Sequence, residues 1–420
     1  MFTDDPYYSA LYANCPMFNH LATPNLSTTT PYLPPGFWND ARTFGQYAPS
    51  SCITYDKIAY QDPSLALDFS KSSLVTNVPE LIEPGLWLDP SLLEPWGLVV
   101  TDDIIWVANT GTGLITSYNL NGEPIDPVIS VGGRGGRVTE PTGLAYNYAF
   151  DVFVIHNGPL RGSSGLIVVT RDGTIHGYNV NVNPDFAVRL IDNSQTEAVY
   201  TGVCVANVRG DLDPVVNNRS FIYATDFYNQ RIDTYDGLLN RQDFPFVDED
   251  TTDPIPDDYG PYNITHYNRQ LYVSWAKQRV DDNQYEEPGA GHGFVSIFQY
   301  NGQFVRRYAS RGCLNAPWGL IEAPAVFGYP VGSLLIGNYG DSSINVFNYE
   351  GIRLGSIRDR AQNSLCFGAV RGLAMNPLYT GGVGSWTGTS PTLYRKQVYW
   401  TTSRNYLRDA FVGVLTAKTC

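Results

Sequence analysis

One short pattern recurs along the chain and limits the fold more than any other feature. An apolar stretch centred on a small residue appears as EPWGLVV (94–100), EPTGLAY (140–146), VYTGVCVA (199–206), GPYNITHY (260–267), APWGLIE (316–322) and AVRGLAMN (369–376). The central residues are Gly97, Gly143, Gly202, Asn263, Gly319 and Gly372, with successive separations of 46, 59, 61, 56 and 53 residues. A period of this size marks an array of small units, each burying its face against its neighbours. The copy that opens at residue 316 is the fullest. After its opening come SLLIGNY, a polar turn at Gly340 to Ser343, INVFNY, a turn at Glu350 and Gly351, and RLGSIRD. Each run alternates or is rich in β-branched and aromatic residues, and each break carries Gly, Asn or Asp. The unit reads as one four-stranded antiparallel blade. Inner strands of a radial array crowd its axis, where a missing side chain lets backbones approach, so the glycines are read as structural.

The two ends of the array explain each other. The last unit has an opening strand (370–375), QVYWTTS (397–403) and AFVGVLT (410–416), after which four residues remain. Its outer strand is missing, while SLVTNVP (73–79) stands alone before the first opening. The expected architecture is all-β: a six-bladed β-propeller over residues 73–420, closed by strand 73–79, which completes the last blade and leaves no free edge. The other outer strands are predicted at 127–133, 186–192, 243–248, 304–310 and 353–359, with an added hairpin at 149–157. Residues 1–72 carry no repeat and are rich in Pro, Asn, Thr and aromatic residues. They read as an extended arm, which becomes ordered only by laying its rings on its own propeller or on a protein partner.

Composition narrows the partners. With 27 Lys and Arg against 41 Asp and Glu, the formal charge of −14 repels phosphate backbones and anionic lipid, so no nucleic-acid partner is expected. The N-terminus has no basic segment followed by an apolar one, and no run approaches the roughly 18 apolar residues needed to span a membrane. Cytoplasmic synthesis without membrane insertion is the expectation. The six cysteines show no CxxC spacing and no grouping with the five histidines, which argues against zinc. Free thiols are the default, with Cys204 in the core and a Cys313–Cys366 pair left open by the spacing. No GxSxG or HExxH pattern occurs.

Residues 222–236, IYATDFYNQRIDTYD, resemble the NHL repeat, with Asp226, Asn229, Arg231 and Ile232 in its places. Asn109, Asp172 and Asp341 occupy the same slot in other units. Short polar side chains here read as turn-builders that bond nearby backbone N–H groups. A longer series, including WVANTGTGLITSYN, TRDGTIHGYN and GFVSIFQYNGQFVRRYASRGCLNAPWGL, is similar to an uncharacterised bacterial family of NHL-like six-bladed propellers often found with PEP-CTERM sorting tails. That resemblance implies the fold and carries no catalytic residues. The sorting tail and an export signal are missing here, and the aromatic arm is added.

The residues just before the six central positions are Trp96, Thr142, Thr201, Tyr262, Trp318 and Arg371. None is a carboxylate. Trp96, Tyr262, Trp318 and Arg371 either line an aromatic and cationic mouth for a flat or anionic ligand or plug the channel. In the acidic loop VDEDTTDPIPDDYG (247–260), Asp248, Asp250 and Asp253 are candidates for Ca2+, against the plainer reading of a solvated loop. The favoured expectation is a non-enzymatic binding or assembly protein, fastened to a protein partner through residues 1–72 and the loop faces, in a particle such as a virion or surface layer. The alternatives are an axial-site metal-dependent hydrolase or lactonase, suggested by architecture alone, and a small-molecule or glycan-binding disc.

Overall fold

The computed structural model describes residues 68–101, 103–132, 138–208, 219–375, 397–404 and 408–418. These residues build six four-stranded antiparallel units. Blade 1 comprises Pro95–Thr101, Ile104–Asn109, Leu114–Asn119 and Pro124–Val131; blade 2 comprises Pro141–Tyr146, Leu166–Thr170, Thr174–Tyr178 and Phe186–Asp192. Blade 3 comprises Tyr200–Asn207, Ser220–Asp226, Arg231–Asp236 and Arg241–Gln242; blade 4 comprises Tyr259–Tyr267, Gln270–Lys277, Gly293–Phe298 and Phe304–Ser310. Blade 5 comprises Pro317–Glu322, Leu334–Asn338, Ile344–Phe347 and Arg353–Ser356. Blade 6 is built from Ala369–Ala374, Gln397–Arg404 and Asp409–Lys418, with Asp68–Thr76 as its outer strand. Each inner strand packs on the next, and that of blade 6 packs on that of blade 1, so the ring is closed. The fold is an all-β propeller.

The repeated small residue is required by how closely the inner strands approach. A Cβ built on Gly97 would lie 2.3 Å from the Thr142 carbonyl oxygen, and one on Gly372 would lie 2.7 Å from that of Trp96. Asn263 takes the sixth place differently. Its amide donates to the Trp318 carbonyl at 2.7 Å, and its side chain fills the space that Gly202 leaves open.

Closure runs as expected, with a shifted boundary. Asp68 pairs with Lys418 and Thr76 with Phe411, so the closing strand starts five residues before Ser73 and ends at Thr76. Residues 68–72 therefore belong to blade 6 rather than to the arm. The remaining arm residues, 1–67, lie outside the described residues. The run DFSKSS has almost no apolar alternation, but Phe69 is buried against Phe327 and Tyr329 of blade 5 and anchors the strand. A further short strand, Trp87–Leu88, adds to the outside in parallel, pairing Val75 with Trp87.

The outer strands of blades 2 and 4 fall where expected, while those of blades 1, 3 and 5 differ. Blade 1 starts its outer strand at Pro124, and blade 5 ends its own at Ser356. In blade 3 the strand is Arg241–Gln242, and residues 243–248 do not pair in the sheet. Phe244 and Phe246 face the core shared by blades 3 and 4, and the Phe246 N–H donates to the Gly302 carbonyl at 3.2 Å. Burying a phenylalanine contributes about 1.5–3 kcal/mol, more than one extra ladder bond. The added hairpin is Val154–Asn157 with Leu160–Ser163. Outer strands of blades 1 and 2 also pair in parallel, Ser130 with Phe186 and Val131 with Ala187.

The Cys313–Cys366 pairing is not made. Cys204 and Cys313 are buried thiols outside any disulfide, whereas Cys366 is disulfide-bonded. Cys313 sits in the core between blades 4 and 5, with its carbonyl held by Asn338, while the Cys366 carbonyl accepts from Lys71 of the closing strand. Burial pushes the Cys204 thiol up to about 12, which makes it unreactive at neutral pH.

Candidate functional site

Four of the six residues that precede the central positions meet on the axis. The Trp96 ring lies edge-on to Tyr262 and to Trp318, each at 6.3 Å between centroids. The Arg371 guanidinium sits over Trp96 at 3.8 Å and over Tyr339 at 4.7 Å. Trp318 reaches across from blade 5 to donate its indole N–H to the Thr201 carbonyl of blade 3 at 2.9 Å. All four side chains are buried, none more than 5 % exposed. The rings close this end of the axis, as buried aromatic pairs do when their edges and faces complement each other.

Several residues of this cluster carry no signal in the repeat. Arg171, in the turn of blade 2, stacks over Tyr285 at 4.1 Å and lies 5.9 Å from Trp96. It pairs with Glu140 at 3.2 Å and donates to the Gln284 carbonyl at 3.0 Å. Tyr285 and the buried Glu286 come from the long loop of blade 4, which brings Tyr285 against Arg171. Glu94 stands just before the first inner strand with a left-handed φ of 48°. Burial raises its pKa above the usual carboxylate range, against the pull of Arg371. Residues such as Arg171 and Glu286 sit in turns and loops, where only three-dimensional proximity reveals them.

On the far side of Trp318 the axis widens into a cavity of about 300 Å³. All six inner strands line it, through residues such as Val100, Tyr146, Val205, His266, Ile321 and Met375. Asn263 supplies the single side-chain amide there, and no carboxylate lines it among the described residues. A hard cation needs several converging oxygen ligands.

The acidic loop is not drawn together around a cation. Asp248 takes two hydrogen bonds from Arg307, at 2.8 and 2.9 Å, in an ion pair whose side chains are 6 % and 5 % exposed. Asp250 accepts from the Thr252 N–H and hydroxyl, and Asp253 pairs with Arg311 at 3.1 Å. Among the described residues no group of three His, Cys, Asp or Glu side chains forms a metal cluster. Asp248 fastens strand Phe304–Ser310 and Asp253 the residue after it, while Asp250 bonds within its own loop.

The candidate turn residues are all hydrogen-bonded, and of them Asp226 and Asp341 accept from backbone N–H groups. Asn109 donates to the Thr116 hydroxyl at 2.9 Å, and Asp172 accepts from the Thr170 hydroxyl. Asp226, fully buried, accepts from the Val199 N–H at 3.1 Å and the Asn229 amide at 2.8 Å, and pairs with Arg231 at 3.2 Å. Asn229 also donates to the Thr196 carbonyl at 3.1 Å. Asp341 accepts from the Ser343 N–H at 3.1 Å and hydroxyl at 2.6 Å.

No family model matches the chain. Its relatives include three uncharacterized proteins of Acanthamoeba polyphaga mimivirus. Protein L690 is 35% identical over 332 residues, covering 78% of this chain and 81% of that protein. Protein R648 is 38% identical over 295 residues, 70% of each. Protein R640 is 36% identical over 359 residues, covering 85% of this chain and 60% of that protein, so the chain spans about three fifths of its length. Similar solved structures include a streptogramin B lyase, at 10% identity and a TM-score of 0.44 over 84% of this chain and 98% of that one. A protein of unknown function from Bacteroides thetaiotaomicron is similar at 9% identity and a TM-score of 0.49, over 84% and 77%. Likeness at this level carries no argument about activity. The bacterial sorting-tail family finds no support in these relatives, which are viral. The chain belongs to the family of mimivirus proteins that includes L690 and R648.

Proposed function

We propose that this protein is a non-enzymatic binding and assembly protein: a rigid six-bladed disc, carried as a component of a virus particle and fastened to a protein partner through its N-terminal residues and loop faces. The observation that supports it most is the axis itself, closed at one end by Trp96, Tyr262, Trp318 and Arg371 packed on one another. A disc filled in this way offers its outer surface for recognition. Loop tips present apolar side chains to solvent, with Val280 and Val331 each 90 % exposed and Phe150 89 %. Phe150 and Val331 lie in first-to-second-strand connections and Val280 in a second-to-third-strand connection, so both faces of the disc present apolar groups for contact. Kinship with mimivirus proteins supports the viral setting.

The test is incorporation. Gradient-purified particles of the encoding virus are analysed by cross-linking and mass spectrometry, with the full chain and with a chain beginning at residue 68. The proposal expects the full chain in the particle, cross-linked through residues 1–67 to another protein, and the shortened chain left out. Its presence only in the soluble fraction of infected cells would overturn the reading. A second reading, a small-molecule or glycan-binding disc, is favoured by the 300 Å³ cavity beyond Trp318. Saturable heat on titration with a glycan panel, lost on replacing Tyr146 and His266 at the cavity wall, would move the weight there.

A further inference from the structure

The closed end of the axis holds donors without acceptors. Nε and Nη1 of Arg371, Nε1 of Trp96 and the hydroxyl of Tyr262 are all buried, and none has a hydrogen-bond partner among the described residues. All four atoms belong to one cluster, since Arg371 lies 3.8 Å over Trp96 and Trp96 abuts Tyr262. Buried polar groups are nearly always paired, and an unpaired buried cation is costlier than any neutral group. Arg171, the other cation here, shows the contrast, because it has Glu140 and the Gln284 carbonyl. Arg371 has instead the faces of Trp96 and Tyr339 and the more distant charges of Glu286 and Glu94, and its Nε and Nη1 are left without acceptors among the described residues.

We propose that this end of the axis binds a small carboxylate, held by Arg371 with the Trp96 indole N–H and the Tyr262 hydroxyl. The chemistry of the donors selects the ligand. A single water accepts too few hydrogen bonds to satisfy them, whereas a carboxylate has lone pairs on two oxygens and strengthens each bond by its charge. The surroundings limit its size and charge. The rings enclose the cluster, and Glu286 and Glu94 already draw on the Arg371 charge, which opposes a second negative charge on the ligand. The ligand is therefore a monoanion of the size of formate or acetate, or the end of a longer acid threaded past the loop of blade 4. The inference goes beyond the assembly reading and shares only the packed rings with it, so its failure would leave that reading standing.

The experiment titrates acetate into the full chain at constant ionic strength, balanced with a bulky sulfonate, and follows the melting temperature. Wild type is expected to show a saturable rise. Tyr262→Phe removes one donor and keeps the ring, so it should fold as well as wild type without acetate and bind acetate about tenfold more weakly. Arg371→Met should abolish the acetate-dependent rise, and a longer acid such as hexanoate separates the threaded form from the small-anion form. No saturable rise in wild type, or an equal rise in Tyr262→Phe and Arg371→Met, would overturn the proposal.

Discussion

At the scale of single residues, the inner-strand glycines carry the sharpest consequence. A Cβ at Gly97 meets the Thr142 oxygen at 2.3 Å and the Leu144 nitrogen at 2.8 Å, backbone atoms with no rotamer to retreat to. Gly97→Ala is expected to cost about 2–4 kcal/mol. Gly132 provides the control, since a Cβ there meets nothing within 4 Å, and Gly132→Ala should stay within about 0.5 kcal/mol of wild type. Urea unfolding of both variants checks this, and equal losses would contradict the close approach. His176 carries a second prediction. Burial pushes its imidazole down to about 4 from 6.5, with Nε2 held 2.8 Å from the Thr174 hydroxyl. Between those values the unfolded chain takes up a proton that the native state refuses, so stability falls as pH drops from 6.5 toward 4. The loss reaches about 3 kcal/mol at the acid end. His176→Gln removes the titration and should flatten this part of the pH–stability curve, as read by melting at pH 7, 5.5 and 4.5. An unchanged slope would show that other groups set it.

Individual strands differ in how plainly the sequence announces them. Leu166–Thr170, LIVVT, is apolar up to its last residue and fully buried. The closing strand is the opposite case. Its polar first half gives no alternation, yet it pairs along Asp68–Thr76 because the edge of Asp409–Lys418 needs a partner and Phe69 has a place in blade 5. The outer edge of blade 3 was misleading for a different reason, because DFPFVD alternates like a strand while its rings serve the core between blades. The seam between blades 1 and 2 rests on two paired positions and leaves no mark in the sequence. A chain beginning at residue 68 should keep a cooperative melt. One beginning at residue 77 exposes the Asp409–Lys418 edge and loses Phe69 and Val75 from the core, so it should aggregate or melt without cooperativity. Circular dichroism and size-exclusion chromatography distinguish them, and equal behaviour would mean that the strand does not close the ring.

For the whole molecule, the ring was legible because the same small residue returns wherever inner strands crowd the axis. Part of the axial cluster was legible for the same reason, since Trp96, Tyr262, Trp318 and Arg371 share one place in the repeat. Arg171, Tyr285 and Glu286 were not, because they reach the axis from a turn and a loop whose lengths the repeat does not set. Asp248 stands in the sequence only as a candidate cation ligand beside the reading of a solvated loop, since its partner Arg307 lies 59 residues away. Under the assembly reading proposed above, the outer surface and residues 1–67 carry the recognition. The most direct measurement is hydrogen exchange followed by mass spectrometry, comparing the isolated full chain with the same chain in purified particles. The account predicts that residues 1–67 and the loop tips at Phe150, Val280 and Val331 gain protection in the particle while the blade strands stay the same. Identical exchange in the two states across residues 1–67 would contradict it.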